Sequence, residues 1–182
     1  MAKKKEGSFT PIIIVMLLSL LIASLWNSFE PIKNSVHAIL NPSAGALLNW
    51  NLTWGMLIIV LIIATGTTII QKYTTNQEAL RELKDAQKIL QKEIKKFQQE
   101  GNQTKMMELQ KQQFEFMPKM MKLSMASVVY TGIPFILFFR WFNDYFVMIP
   151  EFRFFGFITW FWFYLIFTMI FSGFIRKWLK VV

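Results

Sequence analysis

The chain has 182 residues, 54% of them hydrophobic, carries a formal charge of +9 and contains no cysteine. That composition fits one compact membrane domain with an arm, and it excludes disulfides, thiolate metal sites and a cysteine nucleophile. The net positive charge lies in Met1–Thr10, Lys72–Lys122 and Arg176–Lys180, beside long apolar runs, which favours headgroup contact over nucleic acid.

In chain order, residues 1–27 hold Lys3, Lys4 and Lys5 followed by the apolar stretch Phe9–Trp26. A basic end before an apolar core resembles a signal peptide, and Ala23-Ser24 would permit cleavage. Leu25-Trp26-Asn27 lacks the small-residue pattern, so retention as a short first span is preferred. Residues 28–52 contain Pro31, Pro42 and Gly45 and predict an interrupted extracytoplasmic connector. Within it Phe29, Ile32, Val36 and Ile39 or Leu40 share one helical face suited to the interface, with Asn41-Pro42 expected to end that helix. His37, the single histidine, has no second imidazole with which to share a metal, and a structural or interfacial role is expected of it.

The second span, residues 53–71, lies in the uncharged run Leu52–Ile70. At ~1.5 Å per residue that run comes close to the ~30 Å of a hydrocarbon core. Residues 72–118 then turn charged and heptad-patterned. Leu80, Leu83, Leu90, Ile94 and Phe97 recur at helical spacing, Glu100-Gly101-Asn102-Gln103 interrupts, and Met106, Leu109, Gln113, Phe116 and Met120 resume. Two such helices around a Gly-Asn hinge predict an antiparallel coiled-coil hairpin whose seam holds Leu80, Leu83, Leu90, Ile94, Phe97, Leu109 and Phe116. Pairing between two copies is the alternative, which the short hinge disfavours.

Pro118 stands at the entry to the third span, residues 119–141, and is expected to kink or restart the helix. An outer connection, 142–153, leads to the fourth span, 154–175, and a basic tail, 176–182. Four spans would leave both termini and the arm in the cytoplasm, where basic residues flank spans. Trp50, Trp54 and the aromatic residues between Trp141 and Trp160 mark the opposite end as an interfacial belt.

With the spans so placed, hydroxyls and amides gather toward the arm: Thr65, Thr67, Thr68 and Gln71, then Ser124, Ser127, Tyr130 and Thr131, then Thr168 and Ser172. Three spans with the same bias suggest a shallow polar groove open to the cytoplasm, the alternative being small residues that let helices approach. Met106, Met107, Met117, Met120, Met121 and Met125 cluster from the returning arm helix into the third span, where adaptable thioethers would suit an apolar client peptide. No Walker loop, carboxylate pair within a span or nucleophile–base set is present, so neither enzymatic activity nor a metal or other cofactor is expected. Contact of basic tips with ribosomal RNA is the one nucleic-acid role the pattern leaves open; no DNA partner is expected.

The order of a span, a cytoplasmic helical hairpin after Gln71-Lys72, Phe116-Met117-Pro118-Lys119-Met120 opening another span, and a final aromatic span resembles the archaeal members of the YidC family of membrane insertases. The resemblance covers about Thr53–Lys180 and leaves the N-terminal segment outside a three-span core. It implies an all-α integral membrane protein that takes nascent or released membrane-protein clients on its arm and passes them through a groove into the lipid bilayer, without nucleotide hydrolysis. A ribosome or targeting factor would be a further partner. Bacterial members carry a groove arginine in the first core span, which Leu52–Ile70 lacks, so any such charge would have to come from Lys72, Lys119, Lys122 or Arg140. A membrane-anchored assembly scaffold is the alternative function.

Overall fold

The computed structural model describes residues 9–181, so the Lys3–Lys5 cluster of the first segment lies outside the described residues. The helices are α1 (Phe9–Leu25), α2 (Glu30–Leu40), α3 (Ala46–Trp50), α4 (Leu52–Thr74), α5 (Gln77–Gln99), α6 (Gln103–Ser124), α7 (Val128–Val147) and α8 (Trp160–Leu179). Among the described residues two stretches are long and apolar enough to cross a membrane alone: α4, and the 45-residue rod Gln103–Val147 formed by α6 and α7. A third qualifies only if α1 is taken with Glu30–Trp50 across a bend of 93°. The chain is an all-α, multi-pass membrane protein.

Local chemistry explains most boundaries. The Asn51 side chain accepts from the Thr53 and Trp54 amides at 3.0 Å each, capping α4. Asn51→Ala should therefore lower stability by about 1 kcal/mol, read as a lower melting temperature in detergent. Pro31 sits in the first turn of α2, where its missing N–H costs nothing. Pro42 does not end the helical path as expected. The wider π-helical turn Asn41–Gly45 absorbs it, and α3 follows at once.

Pro118 also differs from expectation: α6 runs through it to Ser124, and the break comes later, as a 3₁₀ turn at Met125–Ser127. The Phe114 carbonyl loses its helical partner there, yet arm and span remain one rod. At the other end of the arm, Gly101 takes φ 71°, a conformation glycine adopts freely, and Asn102 caps α6 by accepting from the Lys105 amide at 3.2 Å. α5 and α6 pack on one another. Leu80 and Leu90 are buried, and Leu83, Ile94, Phe97, Leu109 and Phe116 are half-buried. Lys105 Nζ stands 5.1 Å from the Phe97 ring centre beside the turn.

In the membrane domain α4 packs along α8, α1 along α7, and α3 against the start of α4. The core lies at one end, where Leu48, Met56, Ile59, Val60, Trp141, Phe142, Phe146, Phe154, Phe163 and Tyr164 form one buried cluster. The aromatic belt is thus divided. Trp141, Phe142, Phe146 and Phe154 are core, while Trp50, Trp54, Phe155 and Phe157 face outward. Residues Phe154–Ile158 close a turn with reciprocal backbone hydrogen bonds of 2.7 and 2.9 Å, so α8 begins at Trp160 rather than at the start of the uncharged run. Phe154 stacks on Phe163 at 4.0 Å between ring centres.

Candidate functional site

The two ends of the helical domain are built differently. Ring contacts between α7 and α8 run from Phe135–Tyr164 through Phe139–Trp160 and Phe142–Tyr164 to Phe146–Trp160. Nearer the arm, Phe167 and Phe171 meet rings of their own helix, among the described residues. The aromatic end is therefore sealed by rings, while at the arm end α4 meets the short Met125–Ser127 turn.

The polar residues of the arm end bond mainly within their own helices. Thr65, Thr67 and Thr68 donate to Leu61, Ile63 and Ala64 carbonyls at 2.7, 2.8 and 2.7 Å. Thr131 donates to Ser127 at 3.1 Å, and Ser127 to Ser124 at 3.4 Å. Each hydroxyl thus spends its proton on a backbone carbonyl and keeps its lone pairs. Thr68 is 2% exposed and does not face an open surface, unlike the expectation for a groove-lining residue. Thr65, Thr67, Gln71, Ser124, Ser127 and Thr131 are half-buried, and Tyr130 is exposed. On α8, Thr168 places a buried hydroxyl and Ser172 is half-buried; α8 borders α4. The structure brings α4 to the Met125–Ser127 turn and puts Thr168 and Ser172 on the helix packed along α4.

The methionines divide by face. Met106 and Met120 are half-buried, as is Met125 in the 3₁₀ turn, whereas Met107, Met117 and Met121 are exposed. Phe114, missing from the sequence-based set, is 69% exposed and lies seven residues from both Met107 and Met121. That heptad spacing was the signal for it. The result is an apolar face of α6 leading toward the membrane domain.

Arg140 stands at the aromatic end of α7. Its guanidinium lies 5.8 Å from the Trp26 ring centre. One turn on, Asp144 Oδ2 accepts from Trp26 Nε1 at 2.8 Å and meets His37 Nε2 at 3.0 Å and Lys33 Nζ at 3.5 Å. This cluster ties α1 and α2 to α7 and gives His37 a structural place. The sequence offered only weak signals for it: one histidine, and one acid among aromatic residues. Among the described residues no group of three or more His, Cys, Asp or Glu could hold a metal ion.

Residues 37–181 match the family model described as integral membrane protein EMC3/TMCO1-like. No curated protein and no solved structure matches the chain.

Proposed function

The chain belongs to the EMC3/TMCO1-like family, within the broader Oxa1/YidC superfamily, and on that premise we propose that it inserts apolar protein segments into the membrane from the side of its arm. The hairpin of α5 and α6 stands in the cytoplasm and captures the client on the Met107, Phe114, Met117 and Met121 face. The client then enters a shallow groove at the arm end, where the lone pairs of Thr65, Ser127 and Thr131 accept hydrogen bonds from its polar flank. Lateral release into lipid is favourable by ~0.8 kcal/mol per buried CH₂, so no nucleotide is consumed. Both termini lie on the arm's side.

The observation that carries this reading is the contrast between the ends: rings close one, while hydroxyl-bearing helix and turn segments meet at the other, next to the exposed face of α6. Photo-crosslinkers at Phe114, Ser127 and Tyr130 should capture the apolar segment of a membrane-protein client stalled during synthesis, in that order along its path. Labelling confined to stable partner subunits would replace insertion with a scaffold role. Leu90→Asp with Ile94→Asp should open the arm's seam, leave membrane integration intact and slow client insertion about tenfold, roughly 1.4 kcal/mol in the rate-limiting step. Unchanged insertion by a variant whose arm is shown by proteolysis to be open would remove the arm from the mechanism.

A further inference from the structure

The insertion pathway makes no use of a cleft of about 590 Å³ at the aromatic end, between α2, the π turn, α3 and α7. Lys33, Asn41, Asn49, Trp141, Asp144 and Tyr145 supply its polar chemistry. The Trp141 indole N–H meets Asn41 Oδ1 at 2.9 Å. Since an indole can only donate, that bond turns the Asn41 oxygen toward Trp141 and leaves its NH₂ group to serve another acceptor. The Tyr145 hydroxyl uses Asn49 Oδ1 in the same way at 2.6 Å, leaving a second NH₂ group. Asp144 Oδ2 is already occupied by Trp26, His37 and Lys33. Lys33, half-exposed and 3.5 Å from Asp144, retains protons for a further partner. Lys33 is the cation that lines the cleft, beside the Asp144 carboxylate, while Arg140, one turn back along α7, turns to the Trp26 ring. The cleft presents the Lys33 ammonium and two amide NH₂ groups as donors, a set that suits the oxygens of an anion.

Its surroundings say which one. The cleft opens beside the start of α4, a helix able to cross a membrane, where exposed Trp50 and Trp54 match the headgroup level of a bilayer. Val147 and Met148, both exposed, give it an apolar lip. We propose that this cleft seats the phosphate of a phospholipid headgroup from the leaflet opposite the arm, with Lys33 supplying charge, the Asn41 and Asn49 amides donating, and Val147 and Met148 meeting the acyl chains. A free phosphate shares the same donors but leaves the lip unused. This lipid seat stands apart from the insertion pathway, and neither depends on the other.

The full chain, stripped of lipid in a neutral detergent, would be titrated with short-chain phosphatidylglycerol, with short-chain diacylglycerol and with inorganic phosphate, and bound mass read by native mass spectrometry. Saturable uptake of phosphatidylglycerol alone is expected. Lys33→Gln and Asn49→Leu should each weaken it severalfold and together about tenfold or more. Both substitutions leave the Trp141–Asn41 and Trp26–Asp144 bonds in place, and unchanged melting curves would show that the fold persists. Equal uptake of diacylglycerol would reduce the cleft to an acyl-chain surface and overturn the proposal. So would inorganic phosphate binding at the same concentration as the lipid, or full affinity in the folded double variant.

Discussion

Gly55→Leu should prevent the aromatic end from assembling. A Cβ at this position would collide with the Leu47 carbonyl and come within 2.9 Å of the Leu48 amide nitrogen. Every obstructing atom belongs to the backbone, so no side-chain rotation relieves the clash. α3 would have to lift from α4, exposing Leu48 and loosening its grip on the core that holds Met56. Overpacking typically costs ~1–3 kcal/mol, and a leucine against a rigid backbone belongs at or above the upper figure. Gly55→Ala should already melt earlier than the unaltered protein, because the first carbon causes the collision. Gly66 is the control: a Cβ there meets nothing within 4 Å, and Gly66→Ala should be neutral or stabilising by up to ~1 kcal/mol, since alanine restricts the unfolded helix segment. Near-ultraviolet circular dichroism during heating in detergent reads both. A Gly55→Ala variant that melts with the unaltered protein would remove the close α3–α4 approach from the stability of this fold.

Asp144→Ala should release the N-terminal helices from α7. The substitution removes an acceptor shared by three donors, and it strands the Trp26 indole N–H, whose side chain is 1% exposed. Losing a hydrogen bond to a charged acceptor costs ~1.5–3 kcal/mol, and a buried donor without a partner adds ~1–3. The carboxylate keeps some contact with solvent, which screens the Lys33 share, so the expected total is about 3 kcal/mol. Asp144→Asn should cost less, because its amide oxygen still accepts from Trp26. Adding Trp26→Phe to Asp144→Ala should recover part of the loss, since the stranded donor is then gone. Protease cleavage between α1 and α2, at Asn27–Phe29, reads the release independently of melting. If Asp144→Ala leaves both cleavage and melting unchanged, the cluster does not hold α1. The sealed end and the lipid cleft would then rest on the aromatic core alone.

The parts of this protein that were legible in the sequence are those set by neighbours a few residues away. The uncharged run Leu52–Ile70 reports a helix able to span because it carries no charge and most of its residues prefer hydrocarbon, whatever they touch. The seam from Leu80 to Phe116 and the Gly101-Asn102 hinge report a helix pair because their periodicity and turn chemistry are local. The even scatter of aromatic residues between Trp141 and Phe163 carried no such information. A ring in a core and a ring at a membrane surface follow the same composition, and only packing decided that Trp141, Phe142, Phe146 and Phe154 turn inward. Hydroxyl orientation was equally hidden: Thr68 has the same local signature as Thr65, but the docking of neighbouring segments buries it. The proline positions show local rules meeting neighbours. Pro42 is accommodated by a π turn in a segment that buries Ala44 and Gly45, and Pro118 by a rod continuous from arm to span. The Asp144 cluster was the least legible, because Trp26 and Asp144 are 118 residues apart. Their bond exists because α1 packs along α7 and brings Trp26, the residue just past its end, beside that carboxylate, a proximity that no pattern within either helix contains.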